Sequence, residues 1–281
     1  MNTMRKLREY LNRPLSFVMF LLIIISTVIT ALTVVFIIGY IFIKGVPNLS
    51  LDLFSLKYSS SNQSMLPSII NTVYLTALTL LLAVPIGIFS AIYLAEYSRK
   101  NSFFVKIINI ANETLSGIPS IVYGLFGFLA FVISKKWGYS LLAGVITLSI
   151  MVLPLIIRTS QEAMLGVDNT FREASYGLGA GKLRTVFKIV LPSAMPGILS
   201  GIILAIGRIV GETAALIYTA GTVPEAATKL TSSSRTISVH LYCLLNEGLY
   251  TEQAYATAVV LIVFVVIINA LSNALAKKIM K

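Results

Sequence analysis

Six stretches of this chain are apolar for the length a helix needs to cross a bilayer, and no other feature restricts the fold as severely. A hydrocarbon core about 30 Å thick is spanned by about 20 apolar residues in an α-helix. Residues 17–43, 66–95, 137–157 and 253–276 carry no charge; 107–133 carry only Glu113, and 193–223 carry Arg208 and Glu212. An open strand or coil in lipid leaves its backbone groups unpaired, so each stretch is expected to be helical. The expected fold class is therefore all-α, a polytopic membrane protein with six transmembrane helices. Composition agrees where it is decisive: 12% of the residues are charged, against roughly 25% in soluble domains. The 281 residues are read as one membrane domain, not two soluble ones.

The formal charge of +11 would suggest nucleic acid in a soluble protein. Its distribution suggests orientation instead. With the N-terminus inside, Arg5, Lys6, Arg8, Arg13, Arg99, Lys100, Lys106, Arg158, Arg172, Lys182, Arg184, Lys188, Lys277, Lys278 and Lys281 share one side. Only Lys44, Lys57, Lys135, Lys136, Lys229 and Arg235 fall on the other. Basic residues concentrate in cytoplasmic loops, which places both termini in the cytoplasm of a cell-membrane protein. The first apolar run is too long for a signal-peptide core and lacks a small-residue cleavage site, so it is expected to be a retained span. Cys243 is the single cysteine and permits no internal disulfide. His240 and Cys243 lack partners at metal spacing, and no catalytic constellation is visible, so an enzyme is not expected.

Residues 44–65 read as an external, Ser-rich connector and 224–252 as a second external loop. The internal segment 158–192 is long, charged and Gly-rich, which points to a task of its own. Within it, FREASYGLGAGKLRTVFKIVLPSAMPG runs from Phe171 to Gly197. Glu173, Ala174 and Ser175 favour a short helix, and Gly177, Gly179 and Gly181 break it. Leu183, Val186, Phe187 and Val190 then resume helical spacing up to Pro192. A protruding helix, corner and second helix suit docking to a cytosolic partner. The piece YGLGAGKL does not make a nucleotide-binding loop. That motif needs G-x-x-x-x-G-K-[ST], whereas Tyr176 occupies the first glycine position and Leu183 the hydroxyl position.

Arg208 lies about 22 Å along a helix from Ser193, and an arginine near mid-bilayer costs about 2.5–3.5 kcal/mol on insertion scales. It must face the protein interior or a water-filled path. The i, i+4 spacing predicts that Glu212 shares its face and lies close enough to pair. Two readings follow. The pair is a structural lock between helices, or Arg208 meets a translocated anion or its gate, with Glu212 holding it between transport events. A guanidinium suits an oxyanion because its planar fork donates two parallel hydrogen bonds. Gly197 with Gly201, and Gly207 with Gly211, form small-residue steps that permit close helix approach. In the third stretch, Gly117 and Pro119 predict a weakened or kinked helix. Glu113, about 9 Å in from Ile107, is a second pathway candidate or a side chain that snorkels to the interface. Pro85 and Gly87 predict packing kinks in the second.

Glu173, Ala174, Gly177, Leu191 and Pro192 resemble the EAA loop of ABC-importer permeases, with Ser175 replacing its second alanine. GIPSIVYGLFG (117–127), GRIVGETAAL (207–216) and HLYCLLNEGLYTEQAYATAVVL (240–261) resemble the phosphate-specific importer family, and the last of them its A-type permease. The resemblance covers most of residues 66–275. It implies a type I ABC importer (MetI-like) permease fold. Residues 1–65 would supply an N-terminal arm, a peripheral first helix and a connector, and 66–281 a five-helix core with a coupling loop at about 158–192. It further implies that Glu173, Ala174 and Gly177 meet an ATPase, and that Arg208 and Glu212 are tied to phosphate passage. The expected partners are a homologous sister permease, two cytosolic ATPase subunits carrying ATP and Mg²⁺, and an extracytoplasmic phosphate-binding protein. No cofactor is expected in this chain. The alternatives are a permease for phosphonate, sulfate or molybdate, the sister subunit, and an ion-coupled transporter acting alone.

Overall fold

A computed structural model describes residues 14–98 and 102–279. Arg5, Lys6, Arg8, Arg13, Arg99, Lys100 and Lys281, which carry part of the orientation reading, lie outside the described residues. Among the described residues there are helices and connectors but no strand. The helices are α1 (Pro14–Gly45), α2 (Leu66–Tyr97), α3 (Phe103–Gly117), α4 (Ser120–Ser134), α5 (Leu141–Leu165), α6 (Asn169–Gly177), α7 (Lys182–Gly211), α8 (Ala214–Thr219), α9 (Ile237–Glu247) and α10 (Thr251–Ile279).

Five of these, α1, α2, α5, α7 and α10, are each long and apolar enough to cross a membrane. The third expected span is broken. Helices α3 and α4 meet at a bend of 101° around Gly117–Pro119, because Pro119 lacks the N–H a continuous helix would need and Ile118 is extended before it. The fifth expected span also stops early. Helix α7 ends at Gly211 and Glu212 adopts an extended backbone (ψ 130°), so residues 214–223 do not continue it. The fourth starts and ends later than expected, at Leu141 and Leu165. Ser140 Oγ caps it by accepting from Ala143 N–H at 3.3 Å. Arg158 to Leu165 are therefore helix, not loop, and the expected external loop 224–252 contains α9.

Helix α5 is the most buried of the long helices and packs between α2 and α7. Leu148, Met151, Val152 and Ile156 of α5 join Leu75 and Ala83 of α2, Ala205 and Ile209 of α7, and Leu216 of α8 in the main core. Glycines set how closely these helices approach. Gly87 faces Ile156, Gly197 faces Ala163 and Gly201 faces Thr159, each leaving too little room for a Cβ. Nothing lies within 4 Å of the Cβ position at Gly207 or Gly211, so that second small-residue step makes no helix contact among the described residues. Helix α1 packs on α10, where Gly45 meets Tyr255 and Val259; its other residues are largely exposed. Overpacking a tight contact costs about 1–3 kcal/mol, so Gly201→Ala should lower thermal stability. Gly39→Ala, placed in open space, should not. Melting of the two detergent-solubilised variants side by side checks the contrast.

At the end of the bundle where α2 begins, buried Asn71 stitches the segment after α8 onto α2. Its Nδ2 donates to Glu225 O at 2.9 Å and Arg235 O at 3.1 Å, and its Oδ1 accepts from Ala227 N–H at 2.8 Å. Thr72 Oγ1 accepts from Ile237 N–H at 3.0 Å. His240 is fully buried there, edge-on to Tyr58. Burial, with the nearby Arg235 cation, pushes its imidazole down to about 3, so it is neutral at physiological pH. No cluster of metal-ligating side chains forms among the described residues.

Candidate functional site

The helices that follow the two breaks pack on each other. Gly124 and Gly127 of α4 lie against Ala215 and Thr219 of α8, and a Cβ on Gly124 would stand 2.8 Å from Ala215 Cα. Tyr123 Oη donates to Leu115 O at 2.7 Å, tying α3 to α4 across the bend. Leu115 O also accepts from Ile118 N–H at 3.2 Å, so the two donors together hold the last turn of α3 at the bend. Tyr123 also lies within electrostatic reach of Arg208.

The break at Glu212 changes the relation of the two charges. An i, i+4 pair needs a helix running through both positions. Arg208 instead lies in the last turn of α7, and Glu212 precedes α8. Among the described residues no ion pair within 4.0 Å joins them. The expected Arg208–Glu212 pair is corrected accordingly. Each charge sits at the helix end that suits it. The cation lies near the carbonyl end of α7, and the buried Glu212 carboxylate accepts from Ala215 N–H at 3.1 Å at the amide end of α8. Ser238 Oγ donates to Glu212 O at 2.7 Å, fixing the broken backbone.

Arg208 is left facing a cavity of about 630 Å³ between α7 and α10, lined also by Leu155, Ser200, Ile203, Leu204, Gly207, Asn269 and Asn273. Its guanidinium has no hydrogen-bond partner among the described residues. Glu113 is not part of this cavity. It is exposed in a separate cleft of about 200 Å³ with Asn109, Asn112, Arg158, Gln161 and Glu162. Within that cleft Arg158 Nε donates to Glu162 Oε1 at 2.9 Å. The structure thus separates Glu113 from Arg208 and Glu212.

The protruding segment has the expected helix, corner and helix. Asp168 Oδ1 accepts from Thr170 N–H at 2.9 Å at the start of α6, and this bonding holds its carboxyl below the usual carboxylate range. Gly179 turns the chain with φ +80°, a conformation that glycine adopts without a Cβ penalty. Ser175 and Thr185 share a buried hydrogen bond of 2.8 Å that closes the corner. Glu173, Ala174 and Gly177 are exposed, as are the apolar Phe171, Tyr176, Leu178 and Leu183.

Sequence reasoning missed how this elbow is anchored. Arg172 donates through Nε and Nη2 to Glu96 Oε1, at 3.1 and 2.6 Å, on the last turn of α2. The same guanidinium donates to Val167 O at 2.7 Å and Met164 O at 2.8 Å, the latter at the end of α5. One side chain therefore binds the elbow to two core helices. The two partners stand 76 positions apart, a separation at which no local pattern announces the pair.

Residues 83–281 match the family model described as the binding-protein-dependent transport system inner membrane component. The chain is 32% identical over 249 residues to the probable ABC transporter permease protein YqgI of Bacillus subtilis, covering 82% of this chain and 84% of that one. It is 35% identical over 222 residues to the phosphate transport system permease protein PstA of Haemophilus influenzae, covering 78% of each. Among solved structures, a bacterial ABC transporter that imports the acidic polysaccharide alginate superposes with a TM-score of 0.67 at 18% identity, over 99% of this chain and 100% of that one. The inward-facing MetNI methionine ABC transporter superposes with a TM-score of 0.58 at 17% identity, over 76% of this chain and 94% of that one. At those identities the structures establish the shared fold.

Proposed function

The chain belongs to the binding-protein-dependent transport system inner membrane component family, and on that footing we propose that it is the A-type permease subunit of an ATP-driven importer of inorganic phosphate. One observation carries the reading: Arg208, whose guanidinium has no hydrogen-bond partner among the described residues, lines a large open cavity between the membrane-spanning helices α7 and α10. A cation in that position repays its insertion cost only where it meets water or a mobile anion, and its fork matches a phosphate edge. The identity to PstA of Haemophilus influenzae supports phosphate as that anion.

In this reading both termini are cytoplasmic, and α6 with the corner after it faces the cytoplasm. A homologous permease completes the path, and an extracytoplasmic binding protein delivers the cargo. Two ATPase subunits hold ATP and Mg²⁺ and perform the hydrolysis; the chain itself carries no cofactor. Glu173, Ala174 and Gly177 present the docking face of α6. Closure of the ATPases would push α6, and the Arg172–Glu96 link would pass the displacement to α2 and α5. Arg208 contacts the anion, Glu212 orders the break between α7 and α8, and Glu113 belongs to the inner mouth.

Uptake of labelled phosphate by the reconstituted complex should be competed by unlabelled phosphate and not by phosphonate, sulfate or molybdate. Competition by one of those in preference to phosphate would reassign the substrate. Glu173→Lys reverses an exposed charge on the docking helix and should release the ATPase on co-purification, while the permease remains folded.

A further inference from the structure

We propose that Asn269 and Asn273 of α10, together with Ser200 of α7, complete an oxyanion-coordinating site around Arg208. The inference deepens the phosphate-permease reading and rests on it. All four side chains line the same cavity. Asn269 and Asn273 are four residues apart on α10 and so share one face. Ser200 and Arg208 are eight apart on α7 and also share one. None of the four has a side-chain hydrogen bond among the described residues. An amide without a partner is costly in hydrocarbon, yet two occur in IINALSNALA, where Ser272 is the one other polar residue.

The chemistry fits a tetrahedral oxyanion that carries a proton. Hydrogen phosphate offers anionic oxygens, which accept, and a P–OH, which donates. A guanidinium only donates. Each asparagine adds an N–H donor and a carbonyl acceptor without adding charge, and the serine hydroxyl can do either. A carboxylate in their place would accept the P–OH proton but repel the anion. One full charge surrounded by neutral groups also avoids holding the cargo too tightly for release. The site needs no cofactor and no covalent step.

The direct test uses the full complex with Cys243, the chain's only cysteine, replaced by alanine. Asn269→Cys and Asn273→Cys are introduced one at a time and treated with the membrane-impermeant anionic reagent 2-sulfonatoethyl methanethiosulfonate. Labelling of this chain is followed by mass spectrometry. Both positions should react, and inorganic phosphate should slow the reaction where gluconate at equal ionic strength does not. Absence of labelling in the assembled complex, or labelling indifferent to phosphate, overturns the proposal. In parallel, Asn269→Asp and Asn273→Asp should each lower phosphate uptake by about tenfold or more, the scale of a hydrogen bond to a charged group turned repulsive. Full uptake by both Asp variants sinks this inference and leaves the permease reading standing. A wild-type complex that moves no phosphate removes the reading beneath it.

Discussion

Arg208→Gln is expected to abolish phosphate uptake while the complex still assembles. Glutamine keeps a hydrogen-bond donor but removes the charge and the two-pronged geometry. Hydrogen bonds to charged groups contribute about 1.5–3 kcal/mol each, so losing a bidentate contact amounts to about two to four orders of magnitude in anion occupancy. Assembly should survive because the guanidinium has no hydrogen-bond partner to lose among the described residues. Arg208→Lys, which keeps the charge and loses the fork, should retain a fraction of the uptake. Co-purification of all subunits with uptake measured on the same preparation separates the two effects. Normal uptake by Arg208→Gln would take this residue out of the path.

Arg172→Met should be nearly as damaging, for a different reason. The ion pair with Glu96 is largely shielded from solvent, with side-chain exposures of 13% and 6%, so solvent does not screen it away. Removing one member of a buried pair costs about 3–5 kcal/mol, because the other charge is left unpaired. Here the loss also takes from Val167 O the guanidinium donor that it has at 2.7 Å. The elbow would then yield under the ATPases without moving α2 or α5. ATP hydrolysis should continue while uptake falls, and the double variant Arg172→Met/Glu96→Met should recover stability without recovering transport. Unchanged uptake in the single variant would mean that force does not pass through this contact.

The parts that were legible in the sequence are those that follow from local pattern. Apolar length announced the spans, Gly117 and Pro119 announced a disturbance in the third, and the glycines around Gly179 announced the elbow. What the sequence hid was geometry. A slight kink and a 101° bend carry the same Gly and Pro signature. At Glu212 the apolar character runs on past Gly211 with no proline, so hydropathy could not see that the helix stops. The mistaken ion pair followed from that assumption of continuity.

Arg172 and Glu96 were visible as charges, but only the folded chain brings α2 and α6 together. Asn269 and Asn273 escaped notice because a search for charge passes over neutral amides. Asn71 escaped it because a single asparagine near the start of an apolar run resembles an interfacial residue. Its three hydrogen bonds to segments more than 150 residues away exist only in three dimensions.

Reconstitution of the complete complex in proteoliposomes, with phosphate uptake followed under separate control of ATP and the ion gradient, tests the central claim most directly. The account predicts uptake that requires ATP on the cytoplasmic side and persists when ionophores collapse the gradient. Uptake that survives ATP depletion and vanishes with the gradient would contradict it, and would make this chain a transporter that works without a motor.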